Sequence, residues 1–198
     1  MFCRNIKAIL VMAFINICSF ISLQAFAAPD AELGKAKSQT CFACHGVDGM
    51  SGTSNIPHIA AQPPLSIFYQ LVQFREGMRK GGGMEVFAKS LSDADIRDIA
   101  AYFSALPPPP AKAGDATKVA VGLRLTQQSY CNSCHAPQLQ GQKHAPRLAG
   151  QSIEYFVVQL RNIRSSSRVD MDGTMASAAR GLSDEDIEAL AIYAASLK

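Results

Sequence analysis

The segment LSDADIRDIAAYFSAL, residues 91–106, places Ile96, Ile99, Ala100, Phe103 and Leu106 on one face of a helix of 3.6 residues per turn. LSDEDIEALAIYAASL, residues 182–197, does the same with Ile187, Leu190, Ala191, Ala194 and Leu197. Ser92 with Asp95, and Ser183 with Asp186, have the spacing of a capping box, with Asp in place of the longer Glu or Gln. The pattern predicts further helices from Leu65 to Arg75 and from Ile153 to Arg164, and another leading into each of two Cys-x-x-Cys-His runs. Gly34 and Gly122 lie inside those leading segments. A mid-helix glycine costs about 1 kcal/mol against alanine unless something must approach closely. Tyr102 or Phe103, and Tyr193 in the second copy, are expected to pack over these glycines. No segment alternates polar and apolar residues as a half-buried strand would, so the expected class is all-α.

The chain repeats itself. Cys41 corresponds to Cys131, and Pro57-His58-Ile59-Ala60-Ala61-Gln62 to Pro146-Arg147-Leu148-Ala149-Gly150-Gln151. Gln70-Leu71 with Arg75 and Arg79 corresponds to Gln159-Leu160 with Arg164 and Arg168, and Met84 with Leu91-Ser92-Asp93 to Met175 with Leu182-Ser183-Asp184. The offsets are 90, 89, 89 and 91, so small loop insertions separate well-kept blocks. Two copies indicate duplication, because a solenoid needs three or more repeats. Between them PPPPAKAG, residues 107–114, cannot continue a helix and favours an extended spacer. The expected domains are therefore 28–106 and 115–198, joined by a linker at 107–114.

Residues 1–27 combine Arg4 and Lys7, an apolar run from Ala8 to about Leu23 and an Ala25-Phe26-Ala27 exit. That is the layout of a secretory signal peptide cut after Ala27; the competing reading, an uncleaved anchor, has an apolar run short of the usual span of about 20 residues. The bulky Ile17 before Cys18 argues against a lipoprotein signal. Cleavage removes Cys3 and Cys18, after which every cysteine belongs to CFACH (41–45) or CNSCH (131–135).

A Cys-x-x-Cys pair reads as a zinc knuckle, a redox dithiol or, when histidine follows at once, haem attachment. Outside the cytoplasm a dithiol tends to oxidise, and neither a disulfide nor a dithiol motif requires the histidine. Zinc needs a fourth ligand at each site, and the spare histidines, His58 and His144, occupy inequivalent places in the two halves. Haem c attachment, two per chain, is the reading that uses all three residues of each motif. Without Arg4 and Lys7 the chain is close to electroneutral, which excludes the basic field that nucleic-acid binding needs. Arg161, Arg164 and Arg168 lie at helical spacing and form a solvated or propionate-facing stripe.

On one helical turn Cys41 with Cys44, and Cys131 with Cys134, present two thiols to one porphyrin edge. His45 and His135 then fall beneath the iron, which a neutral imidazole nitrogen binds axially. The repeat selects Met84 and Met175 as the sixth ligands. Met50 lies too near its own motif, while Met78 and Met171 have no partner at the matching place. His58 and His144 are expected at the surface or beside the propionates, since their counterparts are Arg147 and Asn55.

The double Cys-x-x-Cys-His, the Pro-containing loops ending in Gln62 and Gln151, the Gln-Leu-x3-Arg stretches and the Met-x6-Leu-Ser-Asp frames together resemble the dihaem cytochrome c4 family over residues 30–198. The resemblance implies two tandem class I cytochrome c folds related by a pseudo-twofold axis, each wrapped around a covalent haem. It implies a periplasmic carrier of single electrons between respiratory donors and terminal oxidases or other acceptors, not an enzyme. It further implies that the carbonyls of Pro57 and Pro146 orient the axial histidines, and that Arg75, Arg79, Arg164 and Arg168 neutralise propionates. Two departures stand out: Ala61 replaces a glycine of the usual loop, and GGGMEVFA, residues 81–88, is rich in glycine. The rival readings are the dihaem subunit of a periplasmic dehydrogenase of the sulfide or alcohol type, and a dihaem enzyme such as a thiosulfate dehydrogenase or peroxidase, which needs an open iron. The partners expected are redox proteins, membrane-bound or periplasmic, with peripheral membrane association left open.

Overall fold

A computed structural model describes residues 28–170 and 172–198. The signal-peptide reading of residues 1–27 and the candidate Met171 lie outside the described residues. Among the described residues ten helices account for the regular structure: α1 (Ala31–Lys37), α2 (Phe42–His45), α3 (Pro64–Arg75), α4 (Met84–Ala88), α5 (Asp93–Ala105), α6 (Ala116–Gln128), α7 (Cys131–His135), α8 (Ile153–Arg164), α9 (Thr174–Ala179) and α10 (Asp184–Ala195). Among the described residues there is no strand, only an isolated bridge between Gln142 and Ala145. The first five helices and the last five form two copies of one arrangement.

Both predicted capping boxes are formed. Ser92 Oγ accepts from the Asp95 amide at 3.1 Å while Asp95 Oδ2 accepts from the Ser92 amide at 2.9 Å. Ser183 and Asp186 repeat this at 3.0 and 2.9 Å. Each box starts the helix whose apolar stripe makes the core. Ile99, Ala100, Tyr102 and Phe103 pack with Ile67 of α3 in the first half. In the second, Ile187 and Leu190 pack with Leu160 and Ile163 of α8.

The leading helices cross the capping-box helices at the two glycines. A Cβ on Gly34 would fall 1.9 Å from the Asp98 carbonyl oxygen and 3.0 Å from Tyr102 Cβ. One on Gly122 would fall 2.3 Å from the Ala189 carbonyl oxygen and 2.5 Å from Tyr193 Cβ. The tyrosines do pack over the glycines, and backbone contact sets the spacing. Asp98 also receives the Asp30 amide at 2.9 Å and Lys37 Nζ at 2.7 Å, tying both ends of α1 to α5.

The linker lies against the second half. Lys112 donates its amide to the Ala195 carbonyl at 2.8 Å, and a Cβ on Gly150 would meet the Pro109 carbonyl oxygen at 2.9 Å. Gly150 has φ +71°, and its counterpart Ala61 has φ +53°. The two amides bond alike, Gly150 to the Ala194 carbonyl and Ala61 to the Phe103 carbonyl. The close approach that demands glycine at 150 comes from the linker, which packs on the other half. Left-handed backbone still costs a non-glycine residue about 1 kcal/mol or more. Part of the gain on relieving it is lost to the freer unfolded chain. Ala61→Gly is therefore expected to raise the melting temperature by a few degrees, read by thermal unfolding, whereas Gly150→Ala should lower it.

Candidate functional site

α2 and α7 are single turns that carry the two motifs. The Cys41 carbonyl accepts the His45 amide at 2.9 Å and the Cys44 amide at 3.2 Å, so two thiols and an imidazole leave one turn of backbone. None of the four described cysteines forms a disulfide. Cys44 and Cys134 are exposed, while Cys41 and Cys131 are partly covered and burial pushes their thiols up.

His45 and His135 are 6% and 4% exposed. The Nδ1 of His45 lies 3.0 Å from the Pro57 carbonyl oxygen, and that of His135 lies 2.8 Å from the Pro146 carbonyl oxygen. A carbonyl can only accept, so each Nδ1 carries the proton and Nε2 is left with a free lone pair. Burial holds both imidazoles below their ordinary pKa, against the opposing pull of the carbonyl. A neutral ring with a fixed tautomer and a free Nε2 is what a metal-ligating histidine requires.

Met84 opens α4 and Met175 sits in the first turn of α9; both are partly buried. Each helix follows a left-handed glycine, Gly83 or Gly173. Their anchorage differs. Asp170 Oδ2 accepts the Met175 amide at 2.7 Å, whereas Met84 follows three glycines of positive φ and its amide reaches only the Gly81 carbonyl at 3.5 Å. Met50 is partly buried and Met78 is exposed.

The four arginines separate into two pairs. Arg75 Nη1 donates to the Leu91 carbonyl at 3.1 Å and to Asp93 at 2.7 Å; Arg164 donates to the Leu182 carbonyl at 2.7 Å and to Asp184 at 2.6 Å. These two fasten α3 to α5 and α8 to α10. Arg79 and Arg168 instead meet between the halves. Arg79 donates to Gln70, to Tyr155 at 3.0 Å and to Gln159 at 3.1 Å, and Arg168 to Gln159 at 2.8 Å and Gln70 at 3.1 Å. Neither bonds a carboxylate among the described residues. Burial and the like charge of Arg79 push Arg168 down to about 10. Burial would raise the Tyr155 phenol, but the two guanidiniums outweigh it and hold the phenol below its ordinary value.

His58 is half-buried, with Nδ1 accepting from the Ser51 amide at 3.0 Å. His144 is exposed, its ring 6.0 Å from that of Tyr69 across the interface. Arg147, the counterpart of His58, was outside the sequence-based candidates. It is 7% exposed, its Nε donates to the Ala149 carbonyl at 3.1 Å, and its Nη2 is buried with no acceptor. Its place beside Pro146, in a loop that the repeat preserves, is the signal that could have found it.

The residues fit a covalent haem in each half: paired thiols one turn from a buried neutral imidazole, and buried guanidinium donors in want of an anionic acceptor. Comparison with known proteins agrees. The family model described as "Cytochrome C oxidase, cbb3-type, subunit III" matches residues 29–103 and again 117–193. "Cytochrome c4" of Stutzerimonas stutzeri is 38% identical over 192 residues, covering 87% of this chain and 91% of that protein. "Thiosulfate dehydrogenase electron acceptor" of Stutzerimonas stutzeri (strain A1501) is 31% identical over 194 residues, covering 89% and 90%. The crystal structure of reduced recombinant cytochrome c4 from Pseudomonas stutzeri superposes with a TM-score of 0.80 at 35% identity, covering 86% of this chain and all of that one.

Proposed function

The chain belongs to the cytochrome c4 family of dihaem c-type cytochromes, and from that premise we propose which residues carry its electron-transfer function and with what they work. Like the other members it is a periplasmic carrier of single electrons, not an enzyme. Haem bound in each half supplies a one-electron iron couple. Cys41 with Cys44, and Cys131 with Cys134, tether it by thioether bonds. His45 and His135 offer Nε2 to the iron, with Pro57 and Pro146 fixing the ring orientation. Met84 and Met175 would supply a second protein ligand to each iron, which would suit electron exchange and deny a reactant access.

The observation that carries this reading is the twinned imidazole. Two buried rings, each directly after a Cys-x-x-Cys pair, hold the same tautomer on the carbonyl of a repeated proline. Arg79, Arg168 and Arg147 are the propionate partners we favour, because burial makes an unpaired guanidinium costly and a carboxylate fork satisfies it. Arg75 and Arg164, occupied by Asp93 and Asp184, serve the framework.

Methionine ligation is tested optically. Met84→Ala and Met175→Ala are each expected to remove half of the weak sulfur-to-iron band at the red end of the ferric spectrum, and to let one of the two reduced irons bind carbon monoxide. Retention of the full band in either variant refutes that assignment. The likeness to a thiosulfate dehydrogenase electron acceptor favours a periplasmic dehydrogenase as one electron donor. Rapid mixing of the oxidised protein with such a dehydrogenase and its substrate should reduce both haems, while thiosulfate alone should reduce neither.

A further inference from the structure

We infer that Gln62 and Gln151 are positioning residues for the axial histidine of the opposite half, each acting through one peptide group. The inference rests on the reading of His45 and His135 as iron ligands. The two glutamines are 8% and 6% exposed and lie between the halves. Gln151 Oε1 accepts the His58 amide at 2.9 Å, and its Nε2 donates to the His58 carbonyl at 2.9 Å. Gln62 Oε1 accepts the Arg147 amide at 2.9 Å, and its Nε2 donates to the Arg147 carbonyl at 2.9 Å. Gln62 and Gln151 are counterparts in the repeat, as are His58 and Arg147. The contact therefore obeys a twofold relation and clamps the halves together.

The amide that each glutamine grips belongs to a particular peptide. The His58 N–H shares its peptide group with the Pro57 carbonyl, which takes the His45 Nδ1 proton. The Arg147 N–H shares its peptide with the Pro146 carbonyl, which takes the His135 Nδ1 proton. Each chain of bonds thus runs from an axial imidazole, through one peptide, to a glutamine oxygen in the other half. Hydrogen bonds in series polarise one another: an amide that donates strengthens its own carbonyl as an acceptor. A stronger acceptor draws the Nδ1 proton away from the ring and makes the imidazole a more basic ligand. A more basic ligand favours the ferric state, so each glutamine lowers the midpoint potential of the haem it does not share a domain with.

The two relays are unequal. Gln151 Oε1 also accepts the Ser152 amide at 2.9 Å, whereas the residue after Gln62 is Pro63, which has no amide proton. Gln151 divides its acceptor between two donors, and Gln62 gives its own to Arg147. The histidine bonds follow the same order, 2.8 Å for His135 and 3.0 Å for His45. Gln62 therefore acts on the second haem more strongly than Gln151 acts on the first.

The test is a redox titration of the dihaem protein with Gln62→Leu and Gln151→Leu, following the ring Nδ1–H resonance of each axial histidine by NMR. In the wild type, large iron-induced shifts on both rings establish ligation before any variant is read; their absence refutes the ligand reading, not the relay. Gln62→Leu is expected to change the electron affinity of the second haem about threefold upward, about 28 mV at 59 mV per tenfold. It should shift the His135 Nδ1–H signal and leave the first haem and His45 unmoved. Gln151→Leu should act on the first haem and His45 alone, more weakly. Gln62→Glu gives the Arg147 amide a stronger acceptor, so the second midpoint should fall below the wild-type value and the His135 Nδ1–H signal should move opposite to its direction in the leucine variant. Equal movement of both haems in either leucine variant, or the same sign for leucine and glutamate, overturns the relay and leaves only a clamp. Should a leucine variant fail to fold, the glutamate variant and its His135 signal decide alone.

Discussion

Replacing Cys131 and Cys134 together by alanine is expected to yield a chain with one haem instead of two, and a second half that no longer melts cooperatively. The first effect follows from chemistry. The cysteines of residues 28–198 are all in CFACH and CNSCH, so a motif that loses both of its thiols has no spare one to take their place there. The second effect follows from size. A domain of about 80 residues has a core near the lower limit for independent stability, and a covalent cofactor is one of the staples that compensate. In the second half the apolar residues divide into two small clusters, one around Leu160, Ile163, Ile187 and Leu190, the other around Leu139, Ala149, Tyr193 and Ala194. Phe156 packs against both, and a covalent haem would add apolar surface to this thin core. Mass spectrometry of the purified variant and an iron-to-protein ratio half that of the wild type check the first effect. Loss of one unfolding transition, with the CFACH haem retained, checks the second. A variant that still carries two haems would show that attachment does not use these thiols.

How much of this was legible in the sequence depended on the length of the signal. The capping-box helices combine a 3.6-residue stripe with a start marker, and both appear where Ser92 and Ser183 place them. The middle helix of the second half runs from Ile153 to Arg164 as expected, and that of the first begins one residue early, at Pro64, where proline's fixed φ suits a first turn. The short helices α4 and α9 were not foreseen. Five or six residues carry no period, and the left-handed glycines before them, Gly83 and Gly173, look like any loop glycine. The roles of the arginines were hidden for another reason. Arg75 and Arg79 stand four apart on what reads as one polar stripe, yet Arg75 finds Asp93 eighteen residues later while Arg79 finds Gln159 in the other half. Gln62 and Gln151 were visible only as repeated letters. A glutamine announces no chemistry until a fold shows which peptide it holds.

Gly34→Ala is expected to destabilise the first half severely, and Gly122→Ala the second less so. At each position alanine would improve helix propensity by about 1 kcal/mol. Against this, its Cβ would lie 1.9 Å from the Asp98 carbonyl oxygen at position 34, and 2.3 Å from the Ala189 carbonyl oxygen at position 122. The obstruction is backbone in a capped helix, so the crossing helices must separate. Overpacking of this kind costs about 1–3 kcal/mol when side chains can adjust, and more when they cannot. Separation in the first half also stretches the bonds of Asp98 to the Asp30 amide and Lys37, each below 3 Å, and the bond of Tyr102 Oη to the Val47 carbonyl at 2.7 Å. In the second half separation stretches the exposed Lys118–Glu188 pair at 3.4 Å and loosens Val119 from the Tyr193 cluster. A net loss of about 2 kcal/mol would lower the melting temperature of a domain this size by about 8–16 °C. Val47 lies two residues beyond His45, and Tyr193 sits in the cluster that Cys131 packs against, so each substitution should also disturb the haem of its own half, Gly34→Ala the more. Thermal unfolding followed at the haem absorbance separates these outcomes, and an alanine at 34 that left the melting curve unchanged would mean the two helices are not in backbone contact.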